Sequence, residues 1–213
     1  QNKPNHFEYA GAAGGYIDKY GIPFCRGRIF NKIEEDYGQY DEIKEIFWAS
    51  GACFLIRSKV FWRLGGFDND FFAHQEEIDL CWRANNLNYK VLAIGSSKIY
   101  HIGASTLPIS AKKTYLNHRN SLIMIVKNVP NKNLYSILFF RLILDGFIGL
   151  LFSLKFKFSF AWAIIRAHYA FFKVFKYVKK KNIDEIKRND YFFVENILLE
   201  YFFKKKTLFH RFK

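Results

Sequence analysis

The sequence predicts an α/β domain with a mixed sheet, followed by aromatic, basic amphipathic helices. Residues 1–111 alternate short apolar runs with clusters of Gly, Asn and Asp, which is the pattern of strands, turns and short helices. Residues 134–213 instead form long apolar and aromatic runs that Lys and Arg interrupt at intervals. With 213 residues, the chain is long enough for one substantial domain with an appendage.

The first elements follow from local signals. The apolar run 52–56 (ACFLI) predicts a buried strand. Ser58 then predicts the N-cap of a short helix, which Gly65 and Gly66 end.

A turn and a longer helix come next. Residues 67–72 (FDNDFF) predict the turn, and the acidic stretch behind it predicts a helix that runs to about Asn86. Residues 89–94 (YKVLAI) and 98–102 (KIYHI) predict two further short strands.

The net charge of +14 is unevenly distributed. Residues 1–111 hold 12 Lys and Arg against 13 Asp and Glu, whereas residues 112–133 hold five basic residues and no acid. Residues 134–213 hold 16 basic residues against six acids. The charge distribution therefore divides the chain into an α/β portion at 1–111, a basic connecting segment at 112–133 and a helical tail at 134–213, which the next features predict to associate with a membrane.

The tail predicts a pair of helices that lie in a membrane interface. Its longest uncharged piece near the centre, Gly146–Leu154, has nine residues, whereas a spanning helix needs roughly 20. A clean transmembrane segment is therefore not expected, and Phe, Leu and Trp would enter the acyl boundary while Lys and Arg reach anionic headgroups. The alternative is that these helices pack on the domain or on another subunit. Lysine runs at 179–181 and 204–206 favour the membrane surface.

Cysteine usage and the start of the chain bear on location and completeness. Cys25, Cys53 and Cys81 are odd in number and far apart, which favours a reducing compartment over a disulfide framework. Together with the basic tail, this predicts a peripheral protein on the cytoplasmic face of the cell membrane. The chain opens at Gln1 directly into sequence typical of a domain interior, so we expect a fragment of a longer protein.

Three carboxylates lie within four positions of the predicted helix start. Asp79 and Arg83 have the i,i+4 spacing of an ion pair, while Glu77 points about 100° away from Glu76 around the helix axis. One acid is thus expected to be neutralised and another left free as a general base in an aromatic setting. An acidic first turn with an ordinary surface salt bridge fits this stretch alone equally well.

The neighbouring motifs favour the catalytic interpretation. Residues 48–105 resemble the C-terminal half of the catalytic domain of rhamnosyltransferase-like family 2 glycosyltransferases, in the order and spacing of several elements. These elements are Ser50-Gly51-Ala52, Gly65-Gly66-Phe67-Asp68 with Phe71-Phe72, Glu76-Glu77 with Asp79-Leu80 and Arg83, and Tyr100-His101. The segment from Tyr115 to Asn120 (YLNHRN) is similar to an "RN" element that follows in the family.

The resemblance implies a partial GT-A fold, with residues 1–111 as the C-terminal portion of its catalytic domain, and an inverting sugar transfer from a nucleotide-diphosphate donor. One base takes the proton of the acceptor hydroxyl while a divalent metal, Mg²⁺ or Mn²⁺, stabilises the departing diphosphate. It assigns Glu77 as the base, with Glu76 as the second choice, and Asp79 and Arg83 as residues that orient the helix. His101 matches a histidine that binds the metal or the diphosphate in some members; the alternative is a satisfied histidine at a strand end.

Other residues complete the predicted substrate-binding set. Arg26 and Arg28 flank Gly27 and would meet a donor diphosphate or an anionic acceptor, although a solvated loop is at least as compatible. The set also includes Ser50, Gly51, Trp82 and Arg83.

The chain departs from the family pattern in one respect. It has no D-x-D metal and nucleotide motif at a strand end, since residues 68–70 (DND) lie in the predicted turn. We therefore expect the donor-binding half to be absent and these residues alone to be inactive.

Two functions remain in competition. The first is transfer of a sugar to a glycan or lipid-linked acceptor in cell-envelope polysaccharide synthesis. The second is a non-catalytic, basic and aromatic module that binds a membrane or nucleic acid. Because the basic residues punctuate long Leu, Ile and Phe runs, lipid is favoured over nucleic acid, which is not an expected partner.

Overall fold

The computed structural model describes residues 5–7, 12–99, 110–181 and 187–212. The chain is of mixed α/β class and divides into two compact units. Unit 1 comprises Gln1–Gly66, Leu80–Gly103 and Asp190–Lys213, and unit 2 comprises Phe67–Asp79 and Ala104–Asn189. This division reflects how the residues pack. It does not test the functions predicted for residues 1–111, 112–133 and 134–213, which stay predictions.

Unit 1 contains two small antiparallel sheets. The first has four strands in sequence order: β1 (Gly15–Ile17), β2 (Pro23–Cys25), β3 (Arg28–Ile29) and β4 (Lys32–Ile33). The second pairs β5 (Ile43–Ile46) with β6 (Val91–Ile94).

The predicted mixed sheet is therefore wrong for the strands that the structure describes. All of their pairings are antiparallel, and the one parallel contact among the described residues is an isolated bridge between Asp18 and Val194. Between β2 and β3 and between β3 and β4, two-residue connections impose the antiparallel pairing, because so short a turn reverses the chain. Gly27 makes the turn between β2 and β3 with a φ of +80°, a conformation in which glycine meets no Cβ penalty.

The interior of unit 1 is aromatic. Trp82 is fully buried between the rings of Phe47 and Tyr191, at centroid distances of 5.5 and 4.9 Å. A second cluster forms around Phe209, in a short 3₁₀ helix (Phe209–Phe212), which stacks on Tyr16. A one-turn π-helix (Leu199–Phe203) precedes it.

Several predicted elements of unit 1 have different outcomes. The strand at 52–56 is wrong: these residues form no strand and most are exposed, Leu55 completely so. Helix α1 (Ser58–Arg63) begins one residue earlier than predicted, since Arg57 is its N-cap and makes no side-chain cap. Its predicted end is confirmed, because Gly65 and Gly66 follow with φ of +81° and +67°.

The remaining local predictions also differ in outcome. Helix α2 (Glu76–Asn86) and strand β6 are confirmed. The strand predicted at 98–102 does not form at Lys98 and Ile99, and its other residues lie outside those described.

Three long helices build unit 2: α3 (Ala111–Asn128), α4 (Asn131–Leu154) and α5 (Phe158–Lys180). Ser110 caps α3 by accepting a hydrogen bond from the Lys113 backbone N–H at 3.2 Å. The segment predicted as a basic connection thus forms α3, which packs against both other helices and whose residues 122–126 are fully buried.

A buried carboxylate joins the three helices. Asp145 of α4 places one oxygen 2.9 Å from His118 Nδ1 of α3 and the other 3.0 Å from His168 Nε2 of α5. Arg141 donates to Ser121 Oγ at 2.8 Å nearby. Burial alone would raise the pKa of Asp145, but the two imidazoles and the Arg141 charge hold it well below its usual range.

Helix α4 is long and apolar enough to cross a membrane, with a mean hydropathy of 2.1 over an 18-residue window. One such helix is weak support for a membrane span, because the core helix of a soluble protein meets the same requirement. The window passes despite Arg141 and Asp145, both of which are buried within unit 2.

We expect Asp145→Asn to lower the free energy of unfolding at pH 7 by about 2 kcal/mol, since the amide loses charge-assisted contacts from two helices. Because the folded pKa is depressed, this contribution is present above about pH 4 and is lost as the pH falls further. Urea denaturation measures the difference. Lys132→Gln, an exposed charge on the same helix, serves as the control and should change stability by less than about 0.5 kcal/mol. Equal effects of the two substitutions would contradict the assignment.

Candidate active site

The acidic segment of unit 2 enters α2 through a strained loop. Its turn is closed by hydrogen bonds from the Phe71 N–H to the Asp68 carbonyl and from the Asp70 N–H to Asp68 Oδ1. Three residues then adopt left-handed conformations that only glycine adopts freely: Phe72, His74 and Gln75, with φ of 61°, 70° and 73°. Such strain is kept only where the surroundings impose it, and it is concentrated at functional sites.

Asn120 of α3 imposes that loop conformation. Its side chain is fully buried, and Nδ2 donates to the carbonyls of Phe71, Ala73 and His74 at 2.8, 2.8 and 2.9 Å. This residue belongs to the "RN" element.

Lys127 neutralises two aspartates of the segment at once. Its ammonium lies 2.8 Å from Asp68 Oδ2 and 2.8 Å from Asp79 Oδ2, and its side chain is 8% exposed. Asn128 donates to the other oxygen of Asp79 at 2.8 Å. Burial alone would raise the pKa of Asp68, but Lys127 and the Asp70 N–H lower it to about 2.

Lys181 supplies a second cation to the turn. Its ammonium lies 3.0 Å from Asp70 and 3.6 Å from Asp68. The aspartates of this segment therefore all have a basic or amide partner.

The two glutamates are arranged differently. In both Glu76 and Glu77, Oε2 is shielded from solvent and has no hydrogen-bond partner among the described residues. Burial, followed by the neighbouring Glu76 charge, raises the pKa of Glu77 to about 7. Glu77 is thus divided between its protonated and ionised forms near neutral pH, as a proton acceptor requires.

The two residues before this pair share the same feature. His74 Nε2 and Gln75 Oε1 are shielded from solvent and have no hydrogen-bond partner within the described part of the chain. Burial, and then the charge of Lys113, lowers the pKa of His74 and so favours its neutral imidazole. Four consecutive residues with unsatisfied buried polar atoms are unusual, because folded proteins satisfy most such groups. Their arrangement can bind a ligand that carries hydroxyl groups.

Asp79 and Arg83 have partners that the sequence did not predict. Asp79 contacts Lys127 and Asn128, whereas Arg83 donates to the Gly66 carbonyl at 2.9 Å and to the Leu64 carbonyl. Arg83 thereby holds the end of α1 within unit 1. The predicted pair between Asp79 and Arg83 stays a prediction.

The predicted substrate-binding residues of unit 1 lie in different settings. Arg26 is buried, donating from Nε to the Ala13 carbonyl at 2.8 Å and from Nη1 to Glu42 at 3.2 Å. Arg28 is half-buried and donates to the Phe30 carbonyl.

Ser50, Gly51 and Trp82 complete that set. Ser50 Oγ accepts from the Ala52 N–H, Gly51 is exposed, and Trp82 lies in the aromatic interior. Direct contact of any of these residues with a substrate stays a prediction.

The predicted metal ligand, His101, lies outside the described residues, as does Tyr100. Within the described ranges, no group of three or more His, Cys, Asp or Glu side chains is placed to hold a metal ion. The divalent metal that the resemblance implies stays a prediction.

Sequence reasoning missed Asn120, Lys127, Asn128 and Lys181 because all are distant from the acidic segment along the chain. One signal was present: Lys127 and Asn128 directly follow the apolar run 122–126 within a single helix. Polar residues that continue a buried helical face require buried partners, and an acidic segment is a suitable one.

Comparisons with known proteins relate part of the chain to glycosyltransferases. Over 83 residues, the chain is 29% identical to N-acetylglucosaminyl-diphospho-decaprenol L-rhamnosyltransferase from two strains of Mycobacterium tuberculosis. The match covers 38% of this chain and 27% of that protein. Over 54 residues, it is 33% identical to the low-salt glycan biosynthesis hexosyltransferase Agl10 of Haloferax volcanii, covering 25% of this chain and 18% of that protein. The chain is a distant, partial relative of glycosyltransferases.

The comparisons extend no further than this relationship. No family model matches the chain, and no solved structure matches it. The matched part spans about a quarter of the mycobacterial protein.

We expect Lys127→Met to destabilise the protein by about 3 kcal/mol, since it leaves the fully buried carboxylate of Asp79 and the partly buried one of Asp68 without their shared cation. Denaturant unfolding at pH 7 measures this loss. Lys176→Met removes the same charge from an exposed position on α5 and is the matched control. Adding Asp79→Asn to Lys127→Met should cost less than the sum of the two single changes. A Lys127 effect no larger than that of Lys176 would refute the bridging role.

Proposed function

We propose that this chain is part of an inverting family 2 glycosyltransferase with a GT-A fold. The reaction moves a sugar from a nucleotide-diphosphate donor to a hydroxyl of a glycan or lipid-linked acceptor in cell-envelope polysaccharide synthesis. The observation that carries the proposal is the pair of glutamates at the start of α2, each with a shielded Oε2 that has no hydrogen-bond partner among the described residues, beside aspartates that are neutralised. The partial relationship to a rhamnosyltransferase and a hexosyltransferase supports it.

Glu77 is the proposed base. The acceptor oxygen attacks the anomeric carbon of the donor, the bond from that carbon to the diphosphate oxygen breaks, and the nucleoside diphosphate leaves. The acceptor proton passes to the Glu77 carboxylate. A base whose pKa is about 7 takes this proton efficiently near neutral pH.

The neighbouring polar atoms suit the acceptor. Glu76 keeps the proton affinity of Glu77 high through its like charge. His74 and Gln75 offer buried polar atoms to other hydroxyls of the acceptor sugar. Donor binding is assigned to residues beyond the described site, and the Mg²⁺ or Mn²⁺ implied by the resemblance is not placed on the described residues.

The partner of the helix pair α4 and α5 is proposed to be an anionic membrane surface. Exposed apolar residues of α4 recur every three or four positions, which places them on one face. These residues are Tyr135, Phe139, Ile143, Phe147, Leu150, Leu151 and Leu154. On α5 the corresponding residues are Phe158, Trp162, Ile165, Tyr169, Phe172 and Tyr177.

The excess of positive charge on this helix pair supports an anionic membrane as its partner. Residues 131–181 contain ten Lys and Arg and a single acid, Asp145, which is buried. At the turn between the helices, Lys155, Phe156, Lys157 and Phe158 are all exposed. Alternating ammonium groups and aromatic rings suit the headgroup boundary of an anionic bilayer. A location at the cytoplasmic face of the membrane follows from this proposal.

We expect Glu77→Gln to reduce sugar transfer at least 100-fold while donor binding is retained, because the amide cannot accept the proton. The assay uses this chain joined to its donor-binding half, nucleotide-diphosphate sugars, and N-acetylglucosamine on a polyprenyl diphosphate. The kcat/KM of the unmodified enzyme should rise with pH and level off above about pH 7, since the base acts when ionised.

Two further variants control this experiment. Glu76→Gln removes the like charge, lowers the pKa of Glu77 and moves the rising limb to lower pH. Glu195→Gln, an exposed glutamate of unit 1, should leave the profile unchanged. Full turnover by Glu77→Gln would eliminate Glu77 as the base.

For the membrane proposal, we expect the chain to float with vesicles containing phosphatidylserine and not with neutral vesicles at the same salt concentration. Replacing both Lys155 and Lys157 by Gln should weaken binding more than tenfold, at about 1 kcal/mol per basic residue. Phe156→Ser should also weaken it, whereas Tyr37→Ser, which changes a similarly exposed aromatic residue of unit 1 outside the tail, should not. Tight oligonucleotide binding without vesicle binding would support the nucleic-acid alternative instead.

A further inference from the structure

The carboxamide of Asn120 lies in a fixed orientation. Its Oδ1 accepts a hydrogen bond from Arg119 Nη1 at 3.1 Å, so Nδ2 is the group that faces the loop. The two N–H groups of Nδ2 serve three carbonyls, those of Phe71, Ala73 and His74, within 2.9 Å. A single side chain thus satisfies three backbone acceptors of the strained loop.

The loop determines where α2 begins. Gln75 has a left-handed backbone, and its carbonyl accepts the helical hydrogen bond from the Asp79 N–H at 2.9 Å. Glu76 and Glu77 follow directly as the first helical residues. A change in the conformation of residues 72–75 therefore changes the direction in which the first turn of α2 leaves the loop, and with it the placement of both glutamates.

The left-handed loop requires an external restraint. Phe72, His74 and Gln75 each carry a Cβ and would relax toward ordinary φ values if the restraint were removed. Lys127 and Asn128 hold the segment through Asp68 and Asp79, which lie on either side of the loop. Asn120 binds the loop itself.

We propose that Asn120 is a positioning residue for Glu77: its carboxamide holds the loop in which Phe72, His74 and Gln75 are left-handed, and this loop starts α2 with Oε2 of each glutamate shielded from solvent. The role in catalysis rests on the proposed function, whereas the role in placing Glu77 does not. Asn120 acts through the loop and takes no part in the chemical step.

The test measures Glu77 directly. In Asn120→Leu the donors are lost while the side chain stays similar in size. The carboxyl group of Glu77 is followed by ¹³C NMR during a pH titration. We expect the midpoint of this titration, about 7 in the unmodified chain, to be lower by at least one pH unit in Asn120→Leu, which corresponds to tenfold weaker proton binding. A purely stabilising role would lower the thermal midpoint and leave this titration in place.

A matched control lies one turn away on the same helix. Asn117 is half-buried, and Asn117→Leu makes the same chemical change without touching the loop. It should leave the Glu77 titration unchanged. An unchanged titration in Asn120→Leu as well would overturn the proposal, as would an equal shift in both variants.

A second variant covers the case in which Asn120→Leu does not fold. Phe72→Gly places glycine at an exposed left-handed position, where it adopts the required φ without a Cβ penalty. The loss of stability caused by Asn120→Leu should be smaller in the Phe72→Gly background. Equal losses in the two backgrounds would show that Asn120 does not restrain the loop conformation, and would overturn the proposal.

The activity assay separates this proposal from the proposed function. In the enzyme with its donor-binding half, Asn120→Leu should lower kcat at least tenfold, leave the KM for the donor unchanged, and move the pH limb in step with the NMR titration. If the unmodified enzyme transfers no sugar, the proposed function fails while the NMR comparison still decides the role of Asn120. If transfer occurs and the Asn120→Leu limb stays in place, the positioning role fails alone.

Discussion

The arrangement of unit 2 depends on the ammonium of Lys127, which lies 2.8 Å from both Asp68 and Asp79. Two neighbouring carboxylates repel each other and lose solvation when they are buried, and a shared cation offsets both costs. Helix dipoles add to the pairing. Lys127 lies in the last turn of α3 and Asp79 in the first turn of α2, and each helix end favours the charge that it carries.

Asp68, Asp70 and Asp79 each have a basic or amide partner. The remaining carboxyl groups of the segment are those of Glu76 and Glu77. The start of a helix favours an ionised carboxylate by about 0.3–1 kcal/mol, which is less than one pKa unit. The pKa of Glu77 nevertheless rises from 4.5 to about 7. Burial and the adjacent Glu76 charge therefore raise the pKa of Glu77 by more than the helix dipole lowers it. The start of a helix usually lowers the pKa of a carboxyl group, but here that pKa is raised. Among the described residues, the aspartates of the segment contact basic or amide side chains, whereas Glu77 keeps one carboxyl oxygen without a hydrogen-bond partner.

The sequence predicted the elements whose signals are local. Gly65 and Gly66 end α1 because both adopt positive φ, and the acidic first turn marks the start of α2. The apolar run 52–56 was misread because five apolar residues in a row do not indicate whether they are buried, and Leu55 is fully exposed.

The partners of the acidic segment could not be predicted in the same way. Lys127 lies 48 residues from Asp79, and Asn120 lies 46 residues from His74. Their contacts depend on how α3 packs, and a helical period predicts a buried face without naming what covers it. Spacing alone predicted that one acid is neutralised and another is left free. Lys127, the cation that contacts Asp68 and Asp79, was not predicted.

The helix pair shows why charges counted along a sequence misrepresent a surface. Arg141 and Asp145 interrupt the apolar run of α4 in the sequence, and such charges are a reason not to expect a clean transmembrane segment. Both point into unit 2, where Ser121, His118 and His168 contact them. The outward stripe of α4 is therefore apolar from Tyr135 to Leu154. Exposed charged side chains follow at the turn after α4, where Lys155 and Lys157 lie next to exposed phenylalanines. Since a surface contact is decided by the face that a helix presents, burial of these two charges strengthens the case for a lipid partner.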